Sequence, residues 1–112
     1  MRPIRILLVA SFLAACAPVY ESRYPYDEGW RAATVTEVAP GDELLVAATN
    51  DCRLGLPAAM VVGNTFARVT YSNARNVRTM IARVEAGDSP RPGMKVYVNP
   101  DDCRQAMHLA KS

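Results

Sequence analysis

The chain has a single histidine, His108, near its end, and so only one imidazole to serve as base, acid or ligand. No Gly-X-Ser-X-Gly elbow, His-Glu-X-X-His pair or phosphate-cradling glycine loop occurs. Ser22, Ser72, Ser89 and Ser112 fall in stretches that read as tether, turns or tail, with no base beside them in sequence. No catalytic residue is therefore expected, and no enzyme activity. Asp101, Asp102, Cys103 and His108 mix hard and soft donors, a poor ligand set, so neither metal nor cofactor is expected. Three cysteines without a Cys-X-X-Cys spacing argue against thiol redox chemistry. The most apolar stretch, Ile6 to Ala15, is broken by Ser11 and is far shorter than the roughly 20 residues of a membrane span. Neither repeats nor low-complexity tracts are present.

What is present begins at the amino end. Arg2 and Arg5 precede that apolar stretch, and Leu13-Ala14-Ala15-Cys16 ends it. A positive n-region, an apolar h-region and small residues before the cut read as a secretory signal. The cysteine directly after Leu-Ala-Ala resembles the lipobox of bacterial lipoproteins. In a plain cleaved leader its position would be coincidence. The resemblance implies cleavage after residue 15, with Cys16 carrying diacylglycerol on sulfur and usually an acyl chain on its amine. Position 17 is Ala rather than Asp, which in Gram-negative lipoproteins implies outer-membrane sorting with the domain facing the periplasm. The expected organisation is a cleaved signal peptide (1–15), a lipidated, extended tether (16–29) and one small β-rich domain (30–112).

Arg2 and Arg5 account for the whole formal charge of +2, so the chain behind the leader is balanced and gives no reason to expect nucleic acid as a partner. Its charges are nonetheless segregated. Seven acids and two arginines lie between Glu21 and Asp51, whereas Arg53 to Arg83 holds five arginines and no acid. Two complementary halves that neutralise one another on folding explain this as well as a basic recognition face does. Cys52 and Cys103, the even pair left after Cys16, read as a structural disulfide in an exported chain.

From Trp30 onward the pattern is strand-rich. Ala32–Val38 ends at the turn Ala39-Pro40-Gly41-Asp42, and Glu43–Thr49 is a second apolar run. Gly63-Asn64 suggests a two-residue hairpin between Ala59–Val62 and Thr65–Tyr71. Asn76–Glu85 and Met94–Val98 are further strands, the last with Met94, Val96 and Val98 on one face and Lys95 and Tyr97 on the other. Asn99-Pro100-Asp101-Asp102 resembles a helix start, giving a short C-terminal helix to about Ala110. The expected fold is mainly β. It is a small five- to six-stranded antiparallel barrel, oligonucleotide/oligosaccharide-binding-like or SH3-like, closed or half-closed, with one disulfide and a C-terminal helix.

Arg68, Arg75, Arg78 and Arg83 with Tyr71 lie on or between two neighbouring strands. If Arg68 and Arg78 share a side, the pair suits phosphate, carboxylate or acidic sugar; otherwise they are solvated stems over apolar surface. Trp30 reads as a core plug. The expected role is a lipid-anchored envelope module, structural or interacting, with the membrane as one partner and another envelope protein as a second. Binding of anionic envelope polymers and a small periplasmic inhibitor are the alternatives.

Overall fold

The computed structural model describes residues 23–45 and 48–110. The expected signal peptide, Cys16 and the tether up to residue 22 lie outside these residues.

The strands are β1 (Arg31–Pro40), β2 (Asn50–Asp51), β3 (Thr65–Asn73), β4 (Asn76–Arg83), β5 (Lys95–Val98) and β6 (His108–Leu109). One helical turn, α1 (Ala58–Val62), precedes β3. The strands form one six-stranded sheet in the order β2-β4-β3-β1-β5-β6. β3 and β4 make a hairpin closed by Asn73 opposite Asn76, and β1 pairs antiparallel with both β3 and β5.

The sheet is open and mixed, a correction to the expected antiparallel barrel. β2 runs parallel to β4 and pairs only through Asn50–Met80 and Asp51–Ile81. β6 pairs with β5 only at Val96–Leu109 and Tyr97–His108. The end of β4 and the segment before β6 touch at the isolated bridge Val84–Met107, where the Met107 amide donates to the Arg83 carbonyl at 3.0 Å. Two-residue ladders are too short to zip a seam, and their shortness also blunts the edges. The disulfide Cys52–Cys103, with Cα atoms 5.4 Å apart, joins the end of β2 to the turn before β6.

The inner face carries the main core: Val35, Val69, Met80, Val96, Val98 and Met107 are essentially sealed from solvent. The outer face is covered at two places. Leu44, Phe66 and Ile81 form one cluster, and Tyr24, Trp30 and Tyr97 the other. Both faces of β5 are thus used, which its Met-Lys-Val-Tyr-Val alternation conceals. Trp30 is a core residue, edge-on to Tyr24 at 4.9 Å. Tyr24, within the stretch read as tether, is buried in the domain and stacks on Tyr97 and His108.

Three local expectations fail for tertiary reasons. The described residues of the expected strand Glu43–Thr49 form no strand; Leu44 instead fills the gap beside Phe66 while Leu45 stays 75% exposed. Gly63-Asn64 does not turn a hairpin, because Ala58–Val62 is helical behind Pro57. The Gly63 amide and the Asn64 side chain satisfy the carbonyls of Ala59 and Met60. The C-terminal helix is absent. Asn99 is buried; its Oδ1 accepts from the Asp101 amide, its Nδ2 donates to the Glu28 carbonyl, and Asp102 folds back on the Arg104 amide. Such local side-chain bonds compete with helix, and Cys103 and Met107 are held apart by the disulfide and the core. His108, which the expected helix would have included, sits in β6.

Gly41 shows how tightly the first loop is drawn. A Cβ there would lie 2.3 Å from the Val61 carbonyl oxygen and 2.8 Å from Phe66. Arg53 closes the same loop from below. Its guanidinium donates to the carbonyls of Gly41 (2.7 Å) and Leu44 (2.6 Å) and pairs with Asp51 at 2.7 Å, both side chains nearly buried.

Candidate functional site

The register divides the arginine set. On β3 and β4, Arg68 lies opposite Ile81 and Tyr71 opposite Arg78, so Tyr71 and Arg78 share the inner face while Arg68 stands on the outer one. Arg68 and Arg78 therefore do not project from the same side. Arg68 ion-pairs with Glu37 across β1 and donates to the Leu45 carbonyl. Arg83 shares the outer face with its partner Phe66 and reaches the Arg104 carbonyl at 3.4 Å. Arg75 is exposed in the hairpin turn. The complementary halves of the sequence are thus partly neutralised, through Arg53–Asp51 and Arg68–Glu37. Among the described residues Arg75, Arg78 and Arg83 take part in no ion pair.

What the fold assembles around Tyr71 is a polar cleft at the mouth of the inner face, about 270 Å³ in volume. Arg31, Asn50, Tyr71, Asn73 and Asp101 line it. Arg31 comes from the start of β1, opposite Val98, and so belongs to the same face as Tyr71. It stacks 3.6 Å over the Tyr26 ring and donates to the carbonyls of Tyr26 and Trp30 at 2.9 and 2.8 Å. Asn50 Nδ2 donates to the Pro100 carbonyl at 2.6 Å, fixing one wall to the other. Gly29 adopts φ +97°, and a side chain there would strike Asn99 Oδ1 at 2.7 Å, so glycine lets the entry segment pass the cleft floor.

The electrostatics of the cleft are mixed. Burial pushes the Tyr71 phenol above its ordinary range; Arg78 pulls it back, Asp101 pushes it further up and Arg31 pulls it down. Arg78 Nε is buried with no hydrogen-bond partner, an exception among buried polar groups. One guanidinium (Arg31), a phenol (Tyr71) and a carboxylate (Asp101) line the cleft, with Arg78 opposite Tyr71 in register but outside the lining; the set suits an anionic group that also carries a hydroxyl or ammonium. Of the residues lining the cleft, sequence reasoning singled out Tyr71 for binding but missed Arg31, Asn50 and Asp101. Only the pairing of β1 with β5 brings the first of these to the mouth, and only the packing of the 99–105 turn brings the last.

Asp101, Asp102, Cys103 and His108 do not converge: Cys103 is bonded to Cys52 and His108 stacks on Tyr24 at 5.0 Å. Among the described residues no three His, Cys, Asp or Glu side chains could hold a metal ion together, and no helix is long and apolar enough to cross a membrane. No protein-family model, curated protein or solved structure matches the chain.

Proposed function

We propose that this protein is a lipid-anchored interaction module of the bacterial cell envelope, held at Cys16 and facing the periplasm. The reading rests on Leu13-Ala14-Ala15-Cys16 behind a charged and then apolar leader. The Cys52–Cys103 disulfide supports it, since such a bond suits an oxidising compartment outside the cytosol. The burial of Tyr24 adds a spatial consequence. Residues 16–23 alone would link anchor to domain, and eight extended residues reach at most about 28 Å. The domain would therefore work close to the bilayer. Replacing Cys16 by Ser tests the anchor. The expected result is loss of membrane retention on fractionation and loss of acyl mass from the amino-terminal peptide. Unchanged retention, or an unacylated native terminus, overturns it.

A second reading, binding of an anionic envelope polymer, is favoured by one observation: Arg31 and Tyr71 line one polar cleft, with Arg78 opposite Tyr71 in register. NMR titration with glucuronate and with inorganic phosphate tests it. Shifts confined to Tyr71, Arg78 and Arg31, abolished by Arg78→Gln, are expected. Shifts that survive the substitution, or none at all, overturn it.

A further inference from the structure

A second depression lies at the other end of the β3–β4 ladder, where Phe66 pairs with Arg83. It is a groove of about 480 Å³ lined by Leu54, Leu56, Met60 and Phe66, with Cys52 and Cys103 beside them and Arg83 and Arg104 at its edge. Leu54 is 75% exposed and Met60 47% exposed, while Phe66 in the floor is fully buried. Large apolar side chains left in water around a concave apolar floor mark a docking surface more often than a bare accident of folding.

The charges say what fits. No acidic side chain lines the groove, and the stretch from Arg53 to Arg83 holds none. Arg83 takes part in no ion pair among the described residues, and Arg104, 91% exposed, shares its guanidinium only with Asp102 at the rim. We infer that this groove docks a polypeptide segment of a partner envelope protein, one that places apolar side chains between Leu54 and Met60 and an Asp or Glu against Arg83 and Arg104. Polypeptide is favoured over a hydrocarbon chain because the groove is open to solvent along its side. A peptide buries selected side chains there and keeps its backbone hydrated, whereas an acyl chain would remain half wet. The arginines act as rim charges, which set partner choice and encounter rate more than affinity.

The inference rests on the interaction-module reading and names the surface through which it acts. In-cell photo-crosslinking of the full-length, anchored protein tests it, with a photoreactive residue at Leu54 or Met60 and, as control, at exposed Val77 outside the groove. The expected result is a protein adduct from positions 54 and 60 and none from 77. The crosslinked peptide should carry an Asp or Glu beside its apolar residues. Arg83→Glu with Arg104→Glu should cut adduct yield at least about fivefold, and the same samples should stay in the membrane fraction. Adducts to lipid or to a second copy of this chain, adducts insensitive to charge reversal, or no adduct at all would each overturn the groove assignment. Failure with the protein still membrane-bound overturns the groove alone; release from the membrane counts against the anchor instead. Cooperative unfolding of each variant, followed by Trp30 fluorescence, separates lost docking from lost folding.

Discussion

Reducing the Cys52–Cys103 bond is the perturbation with the largest expected effect on this domain. The two cysteines stand 51 residues apart, and in the chain-entropy account a loop of that size destabilises the unfolded state by about 4 kcal/mol. Domains of this length are stable by about 5–10 kcal/mol in total, so the reduced protein should be folded only marginally. The loss should also be localised. β2 and β6 each contribute two residues to the sheet, and the bond joins the end of one to the turn leading into the other. Without it, the Cys52 amide, which donates to the Ile81 carbonyl, and the Met107 amide, which donates to the Arg83 carbonyl, should exchange first. Amides in the β3–β4 hairpin should hold until global unfolding. Urea unfolding followed by fluorescence of Trp30, with and without reductant, measures the first quantity; hydrogen exchange measures the second. Cys52→Ala with Cys103→Ala should lose about 1 kcal/mol more than reduction, because Cys52 sulfur fills part of the core. A stability difference below about 1 kcal/mol, or uniform loss of protection across the sheet, would refute the view that this bond holds the two short edges together.

The Arg53–Asp51 pair should give the domain an acid limit. Hydrogen bonding to Arg53 holds the Asp51 carboxyl below its ordinary value. A group with a depressed folded-state pKa stabilises above its unfolded value, so this contribution should be complete at neutral pH and fall away as pH drops below about 4. Asp51→Asn should flatten that part of a stability-versus-pH curve; an unchanged acid limb would count against the pair. Arg53→Ala should cost about 3 kcal/mol, since it leaves Asp51 and the Gly41 and Leu44 carbonyls without their shared donor; a urea midpoint matching wild type would exclude that role. Gly41→Ala should cost at least about 2 kcal/mol by forcing α1 away from the first loop, visible as a lower urea midpoint; wild-type stability would show that α1 gives way freely.

Much of the sheet was legible in sequence because its strands carry their own signal. Met94–Val98 alternates, Ala32–Val38 is β-branched and ends at Pro40-Gly41, and the β3–β4 hairpin separates two periodic runs around Ala74-Arg75. Other runs were ambiguous. Ala59–Val62 can be strand or helix over so few residues, and Pro57 with the Asn64 side chain settles it as a helical turn. The acidic run after Asn99 carries genuine helix-start chemistry, yet Asn99 is consumed in bonds to Glu28 and Asp101 before a helix can begin. The candidate cleft was half visible. Tyr71 lies on a strand the sequence shows, but Arg31, 40 positions earlier, joins it in the cleft only through β1.

The expected address and the covalent staple belong to the linear chain: a leader ending in Leu-Ala-Ala-Cys, and a pair of cysteines, Cys52 and Cys103, behind it. Those are short-range patterns or simple counts, readable without geometry. Which arginines meet, whether the sheet closes, and where apolar surface remains uncovered were decided only by the fold. A strand shows alternate side chains to opposite faces, so register alone separates Arg68 from Arg78. A barrel needs long edges to seal, and two-residue edges leave this sheet open. Leu54 and Met60 stay in water because no later segment of the described chain covers them.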